Sequence, residues 1–159
     1  MQTWVALPFA DGVYEFRLGL AQIDELQNKT GIGIGGLYAR VIKGRYLLDG
    51  ASFGHPEQGD YRRTDIMEPI RQALIGGGKG VVDGEEVKVS AHRVNQLLEA
   101  YCFPNRPLKD DWALTTEILM ATIEGYDPPK PDPVQVKKKE PVKRRKAGST
   151  TPEPSPTSP

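Results

Sequence analysis

The sequence predicts a mainly α-helical protein, with a small helical domain over residues 1–125 that opens with a β-hairpin, and a disordered tail over residues 126–159. Three observations predict this fold. Apolar side chains recur every three or four residues in several segments, as in helices with one buried face. Near the N-terminus, aromatic residues alternate with polar ones, as in a strand. From Asp127 onward the chain holds most of its 14 prolines and few apolar residues, a composition that cannot offset the entropy lost on folding.

The N-terminal hairpin is predicted over residues 3–18. Two runs rich in aromatic and β-branched residues flank Ala10-Asp11-Gly12, and Asp-Gly is a strong turn signal. Pro8 lies inside the first run, which predicts an edge strand because proline cannot donate to a neighbouring strand. The residues expected to face the core are Tyr14, Phe16 and Leu18.

A helix is predicted from Leu20 to Thr30, with Leu20, Ile23 and Leu26 on its apolar face. The glycine-rich stretch Gly31–Gly36 resembles a phosphate-binding loop only superficially. Such a loop follows a strand and carries a Lys-Ser/Thr pair after its last glycine, whereas here a helix precedes it. We therefore expect turns between two helices. Residues 37–42 would then be a helical or an irregular segment.

Residues 43–60 mix glycine, proline and polar side chains, which predicts a long and mobile connection. Its only apolar anchor is the run Tyr46-Leu47-Leu48. His55 stands before a proline in this segment, and no second metal-binding residue is near it in the sequence. We therefore expect a solvated histidine.

The helix against which the other segments are expected to pack lies between Tyr61 and Gly80. Asp65 occupies the expected N-cap and Glu68 completes a capping-box pattern. This start would place Pro69 in the first turn, where its missing N–H costs little. Glycine takes the left-handed conformation without penalty, so Gly76–Gly78 should end the helix. The residues expected on its buried face are Ile66, Met67, Ile70, Ala73 and Leu74.

The remaining segments predict a two-stranded turn and two further helices. The turn lies around Asp83-Gly84 within residues 81–89, where the apolar content is low. Ser90 should cap a helix from Ala91 to about Cys102. The last helix should run from Asp110 or Asp111 to Glu124. The apolar stripe of the first of these helices comprises Val94, Leu97, Leu98 and Tyr101; that of the last comprises Trp112, Thr116, Leu119, Met120 and Ile123.

Charge and cysteine content narrow the classes of function. Residues 1–136 carry 14 basic and 19 acidic side chains, a net charge of −5, so nothing in them suggests a nucleic-acid-binding face. The single cysteine, Cys102, excludes an intrachain disulfide and a Cys-rich metal site, and we expect it to be buried. No signal-type segment and no apolar run of membrane-spanning length is present. We therefore expect a soluble, intracellular protein.

No constellation of catalytic residues is visible in the sequence. Adjacent carboxylates such as Glu85-Glu86 and Asp110-Asp111 diverge, so they do not form an acid–base pair. His92 and Cys102 are ten residues apart on one predicted helix, about 15 Å, too far for a nucleophile and its base. We expect no catalytic residue, cofactor or metal ion, and a protein that is not an enzyme.

Residues 137–159 carry seven basic and two acidic side chains, a net charge of +5. The basic residues are concentrated in Lys137–Lys139 and Lys143–Lys146. One interpretation is a solvated tail; the alternative is an electrostatic tether for an acidic partner or nucleic acid.

Residues 12–125 resemble the gene-transfer-agent-type family of phage tail assembly chaperones, which is also described as a family of tail tube proteins. The clearest part is Asp65 to Gly78, which is similar to the family's helix of the form D-x-x-x-x-I-R-x-A-L-x-G-G-G. The insertion at 43–60 and the basic, proline-rich tail depart from the family pattern. The other matching positions are Tyr14–Leu18, Leu20, Ile23, Leu26, Gly31, Val94, Leu98, Tyr101, Pro107-Leu108, Ala113, Ile118-Leu119, Ala121 and Gly125.

The resemblance implies a non-catalytic chaperone of virion assembly, encoded by a phage or prophage and acting in the cytoplasm of the bacterial host. Its implied partner is the tape-measure protein, which it would keep soluble while tube subunits polymerise; the tail tube protein and further copies of the chain are additional candidate partners. The partner-binding residues stay undetermined. The alternatives are a structural tail component, in the tube or as a connector, and a nucleic-acid-binding accessory protein acting through its tail. Tube subunits are largely β-sheet, which favours the chaperone.

Overall fold

The structure is a computed structural model, and it describes residues 1–48 and 51–130. Met1–Pro128 form one compact unit. The strands are β1 (Trp4–Phe9), β2 (Gly12–Arg17), β3 (Arg45–Leu48), β4 (Ala51–Gly54), β5 (Lys79–Val82) and β6 (Glu85–Lys88). The helices are α1 (Leu20–Thr30), α2 (Ile34–Ile42), α3 (Arg63–Gly77), α4 (Ala91–Tyr101) and α5 (Leu108–Glu124), with a short 3₁₀ turn at Pro56–Gln58.

The prediction of a mainly α-helical fold is wrong, because the chain is a mixed fold of helices and antiparallel sheets. Four strands form one sheet in the order β1-β2-β5-β6, and β3 pairs with β4 in a second, two-stranded sheet. The two hairpins of the larger sheet meet where Val13 pairs with Val81 and Tyr14 with Gly80. Nearly seventy residues separate these partners, so no local pattern in the sequence predicts their pairing. The predicted disordered tail lies almost entirely outside the described residues.

The N-terminal hairpin is confirmed. Its register pairs Trp4 with Arg17 and Phe9 with Gly12, and the rings of Phe9 and Phe16 meet edge to face with their centroids 5.9 Å apart. Pro8 lies in β1, an edge strand of the sheet, as predicted. The predicted core residues Tyr14, Phe16 and Leu18 are all buried.

The helices that follow β2 depart from prediction in two details. Helix α1 has the predicted bounds, but Leu20 at its start is 85% exposed instead of packed. Helix α2 begins at Ile34, so only Gly31–Gly33 form a turn, and Gly35 and Gly36 are helical. The connection between α1 and α2 is therefore shorter than the glycine-rich composition of Gly31–Gly36 predicts.

Helix α3 packs in the centre of the molecule with the predicted face buried, but its start is different from the prediction. The helix begins at Arg63, so Asp65 is the third helical residue, not the cap. Its carboxylate accepts a hydrogen bond from the backbone N–H of Arg62 at 3.0 Å and pairs with Arg40 at 3.2 Å. Pro69 consequently falls in the second turn. The buried residues of the predicted face are Ile66, Met67, Ile70, Ala73 and Leu74.

The C-terminal end of α3 lies directly against strand β2. A Cβ atom on Gly76 would come within 2.0 Å of the Arg17 carbonyl oxygen, and one on Gly77 within 1.9 Å of the Glu15 carbonyl oxygen. Such contacts are sterically impossible, so only glycine allows the helix to approach the strand this closely. The glycines were expected only to end the helix; they also set the distance between helix and sheet.

The C-terminal half confirms the turn and both helices. Asp83 and Gly84 have φ values of 52° and 78°, as in the type I′ turn that suits a two-residue hairpin. The Ser90 hydroxyl caps α4 by accepting from the Arg93 backbone N–H at 3.1 Å. Helix α5 starts at Leu108, slightly earlier than predicted. In α4 the predicted inward residues Val94, Leu97 and Leu98 are buried, whereas Tyr101 is 39% exposed.

The core joins the helices to the larger sheet, and Trp112 is its largest fully buried side chain. Its indole N–H donates to the Val41 carbonyl oxygen at 2.7 Å, and its ring packs against Tyr61 with centroids 4.7 Å apart. These contacts join α5 to α2 and to the start of α3. None of the helices in the described ranges is both long and apolar enough to cross a membrane.

The different surroundings of Gly77 and Gly35 predict opposite changes in the free energy of unfolding when each is replaced by alanine. Gly77→Ala should lower the free energy of unfolding by about 1–3 kcal/mol, because the methyl group must push the helix away from β2. Gly35→Ala, in α2 where a Cβ would meet no atom within 4 Å, should raise it by about 0.5–1 kcal/mol through helix propensity. Urea denaturation of both variants measures the difference. A neutral effect of Gly77→Ala would contradict the packing described for α3.

Candidate functional site

The segment predicted as a mobile connection forms a β-hairpin instead. Strands β3 and β4 pair Tyr46 with Phe53, Leu47 with Ser52 and Leu48 with Ala51. Past β4, the His55 backbone N–H donates to the Gly44 carbonyl oxygen at 2.9 Å. The prediction of a loop over residues 43–60 is therefore wrong.

The base of this hairpin is held against α5. The Arg45 guanidinium lies over the Trp112 ring, 5.0 Å from its centroid. Gly54 faces the same ring so closely that a Cβ atom would lie 2.5 Å from it. Arg45 also donates to the Ser52 hydroxyl at 2.9 Å across the two strands. The buried tryptophan thus fixes the end of the hairpin nearest the core.

The strands present large apolar side chains to solvent. Leu47 is 70% exposed and Leu48 is 61% exposed, and the rings of Tyr46 and Phe53 are also accessible. The run Tyr46-Leu47-Leu48 was predicted to be the apolar anchor of this segment, which is wrong, because all three side chains are exposed. The Tyr46 and Phe53 rings pack on each other with centroids 6.0 Å apart. The two strands of the hairpin therefore contact each other through these side chains.

Helix α5 adds further apolar side chains beside the hairpin. Met120 and Ile123, predicted to point inward, are 37% and 41% exposed. Met120 lines a groove of about 150 Å³ between α5, α2 and the hairpin. The other residues that line this groove are Tyr38, Ile42, Arg45, Tyr46, Leu47, Ser52 and Thr116. We call the exposed apolar surface formed by Tyr46, Leu47, Leu48, Phe53 and Met120 the hairpin patch.

Two carboxylates of α5, Glu124 and Glu117, interact with residues that line the groove. The Tyr38 hydroxyl donates to Glu124 at 2.6 Å; burial of the phenol, together with this hydrogen bond, raises the pKa of Tyr38 to about 12. Glu117 lies on the exposed side of the helix, yet neighbouring atoms desolvate its carboxyl and raise its pKa, an effect that the charge of Arg45 partly offsets. Desolvation likewise lowers the pKa of Arg45, against the opposing effect of Glu117.

The titratable residues considered from the sequence do not come together. His55 is half exposed and lies 3.5 Å from a Glu57 oxygen, while His92 is exposed on α4 beside Gln96. Cys102 is completely buried, as predicted. Across residues 1–48 and 51–130, no group of three or more His, Cys, Asp or Glu side chains is placed to hold a metal ion.

The paired carboxylates have different environments. Asp110 is exposed, whereas Asp111 is buried and accepts from the Phe103 backbone N–H at 2.8 Å and from Arg106. Glu85 and Glu86 are exposed on β6. Asp111, like Asp65, thus holds a chain segment in place, and the two acids of each pair do not act as one site.

The hairpin patch is the feature that reasoning from the sequence missed. The sequence does carry a signal for it, because Asp49-Gly50 stands between a run of strand-forming residues and Phe53. Asp-Gly is a strong turn signal, so the rule that predicts the N-terminal hairpin also predicts a second hairpin here.

The chain matches no protein-family model, no curated protein and no solved structure. The resemblance to phage tail assembly chaperones therefore stays a prediction that rests on the sequence positions named above.

The exposure of the hairpin patch predicts that it contributes little to stability. Leu47→Thr/Leu48→Thr keeps the strand propensity of β3 and should change the free energy of unfolding by less than about 0.5 kcal/mol for each position. Leu37→Ala, a fully buried position in α2, should cost about 2–5 kcal/mol. Urea denaturation compares the two variants. A large loss from the double threonine variant would mean that the patch is packed inside the fold.

The burial of Cys102 predicts slow chemistry at its sulfur. Burial, which is the main cause, raises the pKa of the thiol to about 12, and only the thiolate reacts with disulfide reagents. At pH 8 the native chain should react far more slowly than the same chain unfolded in guanidinium. Absorbance of the released thiolate reports the rate, and equally rapid labelling of the native chain would contradict the buried position.

Proposed function

We propose that this chain is a non-catalytic tail assembly chaperone of the phage type, which binds the tape-measure protein in the cytoplasm of the bacterial host while the tail tube assembles. The observation that carries the proposal is the hairpin patch. Its side chains are apolar and exposed, and the hairpin that bears them is held against Trp112 through Arg45 and Gly54. Large exposed apolar side chains concentrated in one hairpin mark an interaction site on a soluble protein. The family resemblance supplies the identity of the client.

The chemistry of the patch suits a helical client. Amphipathic helices place their apolar face in grooves lined by aliphatic and aromatic residues. The groove beside the patch is lined mainly by such residues, together with Arg45, Ser52 and Thr116. Its Met120 side chain is flexible enough to adapt to irregular partners. A tape-measure protein is a long, helix-rich chain that would expose apolar stripes until the tube encloses it, so covering those stripes would keep it soluble.

The second candidate is a structural component of the tail. The argument against it from helical content no longer holds, because residues 1–48 and 51–130 include six strands. The observation in its favour is the pair of antiparallel sheets, since sheet edges are templates for pairing with further chains. The nucleic-acid alternative depends on Lys137–Lys146, which lie outside the described residues.

Co-expression with the tape-measure protein of the same genome tests the proposal. The intact chain should shift that client from the pellet to the soluble fraction and co-purify with it. Leu47→Thr/Leu48→Thr should reduce both effects, because it removes apolar surface from the hairpin patch. Leu20→Ala, which removes an exposed leucine from α1, is the matched control and should behave like the unchanged chain.

Quantitative gels of the soluble fraction, and mass spectrometry of purified tails, separate the two candidates. A client that is equally soluble without this chain would refute the chaperone function. A chain present in finished tails at fixed stoichiometry would support the structural candidate in its place.

A further inference from the structure

Strand β1 is one edge of the larger sheet, so one of its two sides has no neighbouring strand in that sheet. In an antiparallel ladder, successive residues direct their backbone N–H and C=O groups alternately toward the neighbouring strand and away from it. Phe9 and Gly12 flank the two-residue turn of the hairpin and therefore exchange hydrogen bonds. By this alternation, the backbone groups of Trp4, Ala6 and Pro8 point away from β2.

The free side of β1 is closed at both of its ends. Gln2, just before the strand, exchanges backbone hydrogen bonds of 2.9 and 2.8 Å with Tyr126. The Gln2 side chain also donates to the Trp4 carbonyl oxygen at 2.8 Å. At the other end, Pro8 has no N–H to donate. The open part of the edge therefore runs from Trp4 to Pro8 and has Ala6 at its centre.

The backbone groups left open on this edge are complementary to themselves. Ala6 offers an N–H and a C=O, Trp4 offers an N–H, and Pro8 offers a C=O; within residues 1–48 and 51–130, these four groups form no hydrogen bond with another element. When two β1 strands lie antiparallel with the two Ala6 residues opposite each other, Trp4 of each copy faces Pro8 of the other. The Ala6 residues then exchange two hydrogen bonds, and each Trp4 N–H donates to the Pro8 C=O of the second copy.

We infer that a second copy of this chain binds at β1, so that the two larger sheets join edge to edge about a two-fold axis at Ala6. Such an interface is isologous, because each copy contributes the same groups to it. Both copies use the open part of β1, so association through this edge stops at a dimer. The inference is independent of the proposed function, since β1 shares no residue with the hairpin patch.

Pro8 selects the register of this pairing. Proline on an edge strand usually opposes pairing, because it cannot donate a hydrogen bond to an added strand. In the register centred on Ala6, the missing N–H falls opposite the Trp4 C=O, which already accepts from the Gln2 side chain. A register with Pro8 opposite Ala6 would instead leave the Ala6 C=O without a donor, which is unfavourable at a buried interface.

The side chains of β1 are compatible with an added strand. The strand carries no charged residue, whereas the opposite edge of the sheet, β6, carries Glu85, Glu86 and Lys88. Charged side chains are a common means by which edge strands avoid pairing. In the dimer, the small Ala6 side chains meet at the axis, and the Trp4 ring of each copy lies opposite a proline ring.

There is open space beside this edge. The register places Val5 of the second copy opposite Leu7, so apolar side chains also meet on the inner side of the sheet. Two of the residues around the open space are acids, so the association is measured at moderate salt, which screens repulsion between the two copies. The space is a cavity of about 290 Å³ lined by Leu7, Pro8, Arg106, Asp110, Leu114 and Glu117.

Sedimentation velocity of the full chain over a range of concentrations tests the inference. The unchanged chain should convert from monomer to dimer as its concentration rises. Ala6→Lys places two lysines opposite each other at the axis and should weaken dimerisation about fivefold, because like charges in directly opposed positions repel. Ala6→Glu should have the same effect. A mixture of these two variants should form a heterodimer, since opposite charges then face each other.

The matched control is Val81→Lys, which adds the same charge to an exposed position on the outer face of β5, away from the edge. This variant should dimerise like the unchanged chain. Far-UV circular dichroism and the thermal midpoint of each variant establish that it is folded. Because Ala6 is exposed, its replacement should leave the midpoint nearly unchanged.

Amide hydrogen exchange of the unchanged chain reports on the backbone directly. In the monomer the N–H groups of Trp4 and Ala6 are open to solvent, whereas the Leu7 N–H is bonded within the β1–β2 pair. Raising the concentration should slow exchange at Trp4 and Ala6 and leave Leu7 unchanged.

Four outcomes would overturn the inference. The first is a chain that stays monomeric at every concentration, and the second is a dimer that Val81→Lys weakens as much as Ala6→Lys does. The third is a dimer that Leu47→Thr/Leu48→Thr dissociates and Ala6→Lys does not, which would assign self-association to the hairpin patch. The fourth is a dimer in which exchange at Trp4 and Ala6 stays as fast as in the monomer.

Discussion

The contact between the C-terminal end of α3 and strand β2 is the constraint on which the rest of the fold depends. Gly76 and Gly77 bring the helix backbone against the Arg17 and Glu15 carbonyl oxygens, closer than any side chain permits. Directly after this contact the chain enters β5, which pairs with β2 and extends the sheet. The helix thus positions β5 and β6 beside the N-terminal hairpin. The buried face of α3 contributes side chains to the core.

Local signals in the sequence predicted most individual elements, because turns, caps and amphipathic stripes depend on neighbouring residues. The N-terminal hairpin, the cap at Ser90 and the bounds of α1 are examples. The sheet could not be predicted in the same way, since the pairing of Val13 with Val81 is a long-range contact. The candidate site was missed for another reason. Residues 43–60 were predicted to be a connection with the apolar run at Tyr46 as its anchor, whereas apolar residues can also form an exposed surface that binds a partner.

The apolar residues of the hairpin patch are different from those that form the core. The core is closed by fully buried side chains such as Trp112, Leu37 and Ile118, and the hairpin adds little to it beyond the contacts of Arg45 and Gly54 with the tryptophan ring. Selection on binding could therefore alter the outer residues of the hairpin without disturbing the fold. The two-stranded sheet accordingly shares no strand with the larger one.

The position of Trp112 beneath the hairpin also gives the molecule an optical sensor. The indole is shielded from water, donates its N–H to a carbonyl oxygen, and is covered by the Arg45 guanidinium. Lifting the hairpin would uncover the ring and admit solvent, which changes the emission spectrum of an indole. The chain has only one other tryptophan, Trp4, at the start of β1. Intrinsic fluorescence, with Trp4 replaced by phenylalanine, can therefore follow the seating of the hairpin without any attached label.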